Sequence, residues 1–463
     1  MNPTIAFVTL GCAKNSVDSE KAMGALVSDG FSLTSDPASA DVVIINTCGF
    51  IEPAREESID EILQIAELKK TGRLRSLIVG GCFVARNRDE LKAELPEVDR
   101  FLGLLDPLEV RAVCRETAAQ FAGGDDIAGQ ERYDGADGLL DIPRVLSTPG
   151  HYAWLKIAEG CSNACSFCTI PLIRGASVSV EPDDLITESA ALARSGVKEL
   201  ILIAQDTTLY GYDLKGGPGE TGIGIAGLLR RLDTEVEGIE WMRLMYAYPS
   251  RVTGDLLDVM ASSSRIVPYL DLPVQSGSDR ILKAMKRGMG RTATIELLHR
   301  IRESVPGITL RTSLIAGFPG ESEHDFQETL DLIREVRFER LGVFTWSPEE
   351  DTPAFGLEGR VPEEEMERRA AEALAVQRDI VLEINGSLIG EVVEVMVDEP
   401  LEDLPPFSWL GRTRGDAPEV DQGIYLEGPG GGVPAPDFKP GDIVRAEVVG
   451  HIDFDLEGVI VRG

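Results

Sequence analysis

The chain has 463 residues, 43% of them hydrophobic, and its 78 acidic against 45 basic residues give a formal net charge of −33. This length predicts two to four domains, and no apolar run reaches the roughly eighteen residues of a membrane-spanning helix, so we expect no membrane association. The negative field opposes binding to polyphosphate and favours a basic protein partner, although a merely solvated acidic surface explains it equally well.

Residues 4–114 repeat one pattern three times, a short apolar run followed by a cysteine. The runs cover residues 4–11, 41–47 and 77–81 and lead into Cys12, Cys48 and Cys82, which we call the strand-end trio. Helical stretches at 19–28 and 53–70 separate them, as in a βαβ series with parallel strands. Because the carboxyl ends of parallel strands share one sheet edge, we expect these thiols to meet and to hold a metal cluster. Cys114, in a predicted helix at 107–121, lacks a partner spacing and is interpreted as a core residue.

The middle of the chain alternates strands and helices after a linker at residues 122–150, which is rich in Gly and Asp. Six strands are predicted, at 153–158, 199–204, 242–246, 269–272, 309–315 and 340–344. Helices are predicted at 183–195, 225–232, 254–262, 279–285, 292–304 and 321–336. Six strands with intervening helices predict an open, partial (β/α)6 barrel of parallel strands.

Three cysteines follow the first of these strands within eight residues. Cys161, Cys165 and Cys168, the loop trio, can bind three irons of a 4Fe-4S cluster and leave the fourth iron without a protein ligand. Soft thiolates select iron–sulfur clusters or zinc over hard cations. A zinc knuckle completed from elsewhere and simple buried cysteines are the alternatives.

Polar and glycine residues follow the later strands of this barrel. Gln205 with Asp206, Tyr246, Gln275 with Ser276, and the segment 317–320 each come where a predicted strand ends. We expect them to line the barrel mouth beside the loop trio, and ordinary turn residues are the alternative. Gly317 and Gly320 bracket a tight loop that would let a ligand approach the backbone closely.

A charged amphipathic helix is predicted at 362–385, and after it the sequence changes to short runs typical of β-strands. Strands at 392–397, 423–426, 443–449 and 458–461, separated by turns, predict a small antiparallel β-barrel of the OB type. Residues 380–463 contain 17 acidic and 5 basic residues. A barrel that binds RNA would carry a basic face with stacking aromatic side chains, so protein recognition is favoured over nucleic acid.

The spacing C-x-x-x-C-x-x-C of the loop trio, with Phe167 before its last cysteine, resembles the signature of the radical S-adenosylmethionine (SAM) enzymes. Together with the strand-end trio and the terminal barrel, the whole chain resembles the methylthiotransferases. This resemblance implies a methylthiotransferase domain at 1–121, the linker at 122–150, a radical SAM core at 151–380 and a TRAM barrel at 381–463. It also implies two 4Fe-4S clusters, one on each cysteine trio, with SAM as the other cofactor.

The SAM-binding positions predicted from this resemblance and from the strand ends are Phe167, Gln205, Asp206, Gln275 and Gly317. From this resemblance we predict that the cluster on the loop trio generates a 5′-deoxyadenosyl radical from SAM. We also predict that the cluster on the strand-end trio carries a sulfide or methylsulfide and delivers it to the substrate carbon.

Two segments resemble the branch that modifies a ribosomal protein, residues 9–20 and 411–421, whereas residues 275–278 look as much like the tRNA branch. The resemblance therefore implies methylthiolation of the β-carbon of an aspartate in ribosomal protein S-twelve, a basic substrate. It also implies a cytoplasmic location and an electron donor such as flavodoxin or ferredoxin. The rivals are a tRNA adenosine methylthiotransferase, a non-catalytic iron–sulfur scaffold or electron carrier, and a zinc-binding interaction protein.

Overall fold

The computed structural model describes residues 3–121, 144–217, 222–402, 404–429 and 438–461. These residues belong to two compact units. The first comprises Met1–Ser147, Glu159–Ser162 and Thr169–Ser177, and the second comprises Thr148–Ala158, Asn163–Cys168 and Val178–Gly463. Most of the predicted linker at 122–150 lies outside the described residues. The division into four domains stays a prediction.

The first unit contains a five-stranded parallel sheet in the order β2-β1-β3-β4-β5, which confirms the predicted βαβ series. Its elements are β1 (Thr4–Thr9), α1 (Ala13–Ser28), β2 (Ser32–Thr34), β3 (Val42–Thr47), α2 (Glu52–Thr71), β4 (Ser76–Gly81), α3 (Cys82–Glu94), β5 (Arg100–Phe101) and α4 (Pro107–Phe121). The short edge strands β2 and β5 and the helix α3 were not predicted.

The central strands of this sheet are buried on both faces. Val43 and Ile45 of β3 pack into one apolar cluster, and Val42 and Ile44 pack into the other. Cys114 belongs to the second cluster and is fully buried, so its interpretation as a core residue is confirmed. A sheet covered on both faces is typical of βαβ units, whose crossover helices pack on either side.

The second unit begins with six parallel strands in the order β13-β12-β11-β10-β9-β6. The sheet does not close on itself, which confirms the predicted open barrel. The elements in this part of the chain are β6 (Tyr152–Lys156), β7 (Ala158–Glu159), α5 (Ile170–Arg174), β8 (Val178–Ser179), α6 (Pro182–Arg194), β9 (Glu199–Ile203), α7 (Ile225–Glu235), β10 (Trp241–Leu244), α8 (Gly254–Ser262), β11 (Ile266–Asp271), α9 (Asp279–Ala284), α10 (Arg291–Ser304), β12 (Thr309–Ala316), α11 (Glu323–Val336), β13 (Arg340–Thr345) and α12 (Glu363–Ser387).

The chain ends in a closed five-stranded barrel of the order β14-β15-β16-β18-β17. Its strands are β14 (Val392–Pro400), β15 (Phe407–Thr413), β16 (Ile424–Glu427), β17 (Ile443–Ile452) and β18 (Asp455–Ile460). The prediction of an antiparallel barrel is wrong for one pair, because β16 and β18 run parallel. Strand β18 forms an antiparallel hairpin with β17 and lies beside β16, with which it runs parallel. Strand β15 was not predicted.

Among the described residues, no helix combines the length and the apolar character needed to cross a membrane.

Candidate functional site

The strand-end trio lies at one edge of the first unit's sheet. Thr47 and Gly81 are register partners, so Cys48 and Cys82 follow neighbouring strands at the same level. Cys12 follows the other neighbour of β3 and precedes the first residue of α1. The sequence predicted this convergence from the parallel topology.

Two glycines with positive φ permit the close approach of these strand ends. A Cβ on Gly11, whose φ is +94°, would lie 2.8 Å from the Cβ of Cys48. A Cβ on Gly81, whose φ is +100°, would lie 2.4 Å from the side-chain oxygen of Asn46. Both positions therefore require glycine for conformational and for steric reasons.

Asn15 joins the strand ends to one another. Its side-chain nitrogen donates to the carbonyl oxygens of Leu10 at 2.8 Å and Thr47 at 3.1 Å. The backbone carbonyl oxygen of Asn15 accepts a hydrogen bond of 2.9 Å from the side-chain nitrogen of Asn46. Because Asn15 is only 1% exposed, these bonds form in a dry environment that fixes the segments before Cys12 and Cys48.

The electrostatic environment of the trio is set by burial and by one arginine. The pKa of Cys82 is raised to about 11, chiefly by burial; the guanidinium of Arg174 opposes this rise, and the neighbouring Cys12 and Cys48 add to it. Burial also raises the pKa of Cys48. The pKa of Cys82 is thus influenced by both of the other thiols of the trio, and the pKa of Cys48 by that of Cys12. The thiolate is the form of cysteine that binds metal, so metal binding must overcome the raised pKa values. The positive charge of Arg174 lowers the pKa of Cys82 and so favours its thiolate.

The strand-end trio provides the donor set of an iron–sulfur cluster, because soft thiolates select iron–sulfur clusters or zinc over hard cations. In the part of the chain that the structure describes, no three His, Cys, Asp or Glu side chains come close enough to hold one metal ion. Three thiolates can ligate three irons of a 4Fe-4S cluster, and the three thiols that follow neighbouring strands of this sheet supply that donor set.

The loop trio lies between β7 and α5, at the carboxyl end of the first barrel strand. The Cys161 amide donates to the Gly175 carbonyl at 3.0 Å, and the Cys168 amide donates to the Cys165 carbonyl at 3.3 Å. Ser166 is anchored on the barrel unit, where its hydroxyl donates to the Ala284 carbonyl at 2.8 Å. Backbone bonds and the Ser166 hydroxyl therefore hold the loop in place.

Asp206 organises the barrel side of this loop. Its Oδ2 accepts from the side chain of Asn163 at 2.7 Å and from Arg251 at 2.9 Å, while Arg251 also donates to the Oδ1 of Asn163 at 2.7 Å. Its Oδ1 accepts from the Thr208 amide at 3.0 Å. The buried carboxylate thus holds Asn163, which stands between the first two cysteines of the loop trio.

A second arginine contacts the loop trio directly. The Nη1 of Arg287 lies 3.5 Å from the sulfur of Cys165, and its guanidinium stands 4.0 Å from the ring centre of Tyr248. Neither Arg287 nor Arg251 was found from the sequence, because a single arginine outside the strands and α-helices of the barrel carries no periodic signal. Asn163 lay inside the cysteine motif and was not assigned a role.

The remaining predicted SAM positions follow barrel strands or lie within the cysteine loop, and their role stays a prediction. Gln275 has a φ of +75° and bridges to Leu314 of β12. Phe167 packs edge-to-face against Phe318, with ring centres 6.5 Å apart. Gly317 has a φ of +77°, and a Cβ there would lie 2.1 Å from the side chain of Met366. The group that approaches Gly317 closely is therefore a methionine of α12.

Three family models match the chain in succession. Residues 4–103 match the model described as Uncharacterized protein family UPF0004, residues 155–333 match the Radical SAM superfamily, and residues 389–461 match the TRAM domain. Each match falls on one of the three architectures described above, the parallel sheet, the open barrel and the closed barrel.

The fold resembles solved radical SAM enzymes. The methyltransferase TsrM from Kitasatospora setae, solved with cobalamin and a [4Fe-4S] cluster, gives a TM-score of 0.55 at 15% identity, with 76% of this chain and 74% of that chain covered. The same enzyme with tryptophan and a SAM analogue gives a TM-score of 0.52 at 15% identity, with 73% of this chain and 72% of that chain covered. At this identity the likeness shows the fold alone.

Relatives of known name are far more similar in sequence. The "Ribosomal protein uS12 methylthiotransferase RimO" of Anaeromyxobacter sp. (strain Fw109-5) is 45% identical, with 98% of this chain and 92% of the relative covered. The protein of that name from Clostridioides difficile is 40% identical, with 99% and 98% covered, and that from Pelotomaculum thermopropionicum is 42% identical, with both chains covered completely. With such similarity over nearly its whole length, this chain belongs to the RimO family of radical SAM methylthiotransferases.

Proposed function

We propose that this enzyme transfers a methylthio group to the β-carbon of an aspartate in ribosomal protein uS12. The observation that carries the proposal is the convergence of the strand-end trio in a chain that also carries the loop trio and belongs to the RimO family. A radical SAM enzyme that only generated a radical would need no second set of thiols. Sulfur transfer supplies a use for it.

The six cysteines are the proposed ligands of two 4Fe-4S clusters, the cofactors that this class of enzyme uses together with SAM. When bound, these cofactors supply a radical able to take hydrogen from an unactivated carbon, and they supply sulfur and a methyl group. No side-chain acid–base pair removes a proton from the β-carbon of an aspartate at neutral pH. The protein contributes binding, orientation and exclusion of water.

The residues around the loop trio provide that orientation. Asp206 binds Asn163 and Arg251, so it fixes the loop between Cys161 and Cys165 instead of facing solvent. Gln275 and Gly317 occupy left-handed backbone conformations at the ends of neighbouring strand segments. We propose that these strand ends contact SAM, and that flavodoxin or ferredoxin supplies the electron.

The charge of the terminal barrel favours a basic protein over tRNA. Within residues 380–463, the carboxylates of Asp398, Asp416 and Asp421 and the guanidinium of Arg412 form ion pairs in the interior of the second unit. Taking these from the 17 acidic and 5 basic residues leaves 14 acidic and 4 basic. A polyphosphate backbone would be repelled by such an excess of negative charge, whereas a basic ribosomal protein would be attracted.

The proposal is tested by offering both substrates to the anaerobically reconstituted enzyme with SAM and a reductant. Mass spectrometry of the products should find one methylthio group in place of one hydrogen on an aspartate of uS12 and none on tRNA. The triple variant with alanine at the strand-end trio should still cleave SAM but should not thiolate, and Cys114→Ala should behave as the parent. Modified adenosine in tRNA, or SAM cleavage without transfer by the parent, would contradict the proposal.

A further inference from the structure

Arg174 is a buried arginine whose guanidinium contacts a cysteine of the strand-end trio. It is the last residue of α5, a short helix that begins two residues after Cys168, and it is 7% exposed. In the first unit it donates to the sulfur of Cys82 twice, from Nε at 3.3 Å and from Nη2 at 3.2 Å. Two nitrogen atoms of the guanidinium therefore donate to the same sulfur in a forked arrangement.

The other edge of the guanidinium is held by side chains of the same unit. Nη1 donates to Glu159 at 2.7 Å and to Asp18 at 3.3 Å, and Nη2 also donates to the side-chain oxygen of Asn15 at 2.6 Å. Two carboxylates and an amide thus orient the plane toward Cys82. A lysine ammonium cannot reproduce this, because the fork is a property of the planar guanidinium.

Asn15 extends the influence of Arg174 to the other two cysteines. While its oxygen accepts from Arg174, its nitrogen donates to the carbonyls of Leu10 and Thr47, which precede Cys12 and Cys48. One guanidinium therefore fixes the position of one sulfur directly and the approaches to the other two through a single amide.

Hydrogen bonds and positive charge at a ligand sulfur change the electron affinity of an iron–sulfur cluster. Reduction adds negative charge, which donors to the sulfur atoms stabilise, so such donors raise the reduction potential. The effect is strong in a buried site because the effective dielectric constant is low.

We propose that Arg174 is a positioning residue of the cluster held by the strand-end trio, and that its fork to Cys82 raises the reduction potential of that cluster. The inference rests on the proposed assignment of the trio as cluster ligands. It gives the segment after the loop trio a role in the chemistry of the second cluster, because Arg174 stands six residues beyond Cys168.

The test isolates the second cluster. A parent chain with alanine at all three cysteines of the loop trio is reconstituted with iron and sulfide, and the midpoint potential is measured by titration followed with electron paramagnetic resonance. Arg174→Gln and Arg174→Lys are made in this background. Arg115→Gln is the matched control, because Arg115 lies in the same unit and pairs with Asp29, but its side chain is 60% exposed.

We expect Arg174→Gln to titrate at a more negative potential than the parent, Arg174→Lys to fall between them, and Arg115→Gln to match the parent. An unchanged potential in a loaded Arg174→Gln chain would overturn the inference and leave the proposed function standing. If Arg174→Gln does not keep its iron, the lysine variant decides in the same way.

If both Arg174 variants keep the parent's circular dichroism but lose iron, the positioning role is supported. Unfolding of both would overturn it, because Arg174 would then be a purely structural residue. If the parent itself bound no cluster, both the inference and the two-cluster function would fail.

Discussion

Arg412 offers a sharp test of how the terminal barrel is joined to the central sheet. Its side chain is 6% exposed and donates to Glu199 at 2.7 Å and to Asp398 at 2.8 and 3.0 Å. It also lies 5.5 Å from the ring centre of Tyr152. Arg412→Met keeps much of the volume but leaves two carboxylates short of one partner.

The magnitude follows from what those carboxylates retain. Removing one partner of a buried ion pair costs about 3–5 kcal/mol. Glu199 keeps Arg243 at 2.7 Å, and Asp398 keeps His151 at 2.7 Å, so the cost should lie at the lower end, about 3 kcal/mol. With a urea m-value of about 3 kcal/mol per M, the unfolding midpoint should fall by about 1 M.

Tryptophan fluorescence reports on the unfolding of the second unit, which contains Arg412. All four tryptophans, Trp154, Trp241, Trp346 and Trp409, belong to the second unit. Arg445→Met is the matched control, because Arg445 lies in the same barrel but is exposed on β17, and it should change stability by less than about 0.5 kcal/mol. A variant Arg412→Met as stable as the control would refute the reasoning and show that the network is replaceable by apolar contacts.

The difference in unfolding free energy between the parent and Arg412→Met should depend on pH. Burial tends to raise the pKa of Glu199, but Arg412 and Arg243 outweigh it and hold the pKa below its ordinary value. A carboxyl with a lowered folded pKa contributes stability above its unfolded pKa, about 4.3, and loses it as the pH falls toward the folded value. The difference between parent and Arg412→Met should therefore be complete at neutral pH and should shrink below about pH 4.

Three further predictions concern the two sites. Alanine at the whole strand-end trio should lower the iron content per chain by about half, since one of two clusters is lost, whereas Cys114→Ala should not change it. Gly317→Ala should destabilise the second unit by about 1–3 kcal/mol in urea titrations, because it strains a positive φ, and Met366→Ala in the same chain should recover part of the loss by removing the clash. Asp206→Asn should weaken SAM binding about tenfold or more in equilibrium dialysis by releasing Asn163, and binding equal to the parent would contradict this role.

The strands and their cysteines were predictable because the signal is local. A buried parallel strand is a short apolar run, and its end fixes where the next residue lies, so Cys12, Cys48 and Cys82 could be placed on one edge. The closed barrel was harder, because β15 is only partly buried and a register shift interrupts its pairing with β16. The parallel pairing of β16 with β18 depends on the path of the chain and has no local signature.

The start of α1 was missed for a reason connected with function. The helix was predicted from residue 19, whereas it begins at Ala13, immediately after Cys12. Its first turns bury Lys14, Asn15 and Asp18, so polar residues occupy the face where a helix normally shows apolar ones. The partner Arg174 is 92 residues from Cys82, and no periodicity connects the two. Because the site requires buried polar residues at the start of α1, the apolar periodicity that normally predicts a helix is absent there.

Charged residues inside the predicted strands carried information that was not used. Glu199 begins β9 and Arg340 begins β13, and both are predominantly buried. A buried charge requires a partner, and the neighbouring strands of a parallel sheet supply only some of them. The rest come from residues 411–421, where Arg412 pairs with Glu199 and Asp416 pairs with Arg340.

That segment had been noticed only because it resembles the ribosomal-protein branch. Asp421 in it accepts from the hydroxyl of Tyr269 at 2.6 Å and from Arg311 at 3.3 Å, so it reaches the interior of the central sheet. The segment thus supplies partners for buried charges at or near the starts of the barrel strands. The candidate SAM positions lie at the opposite edge of the sheet, where the strands end. Its resemblance to that branch is therefore compatible with a structural constraint, and the preference for a protein substrate rests on family membership and on the acidic surface of the terminal barrel.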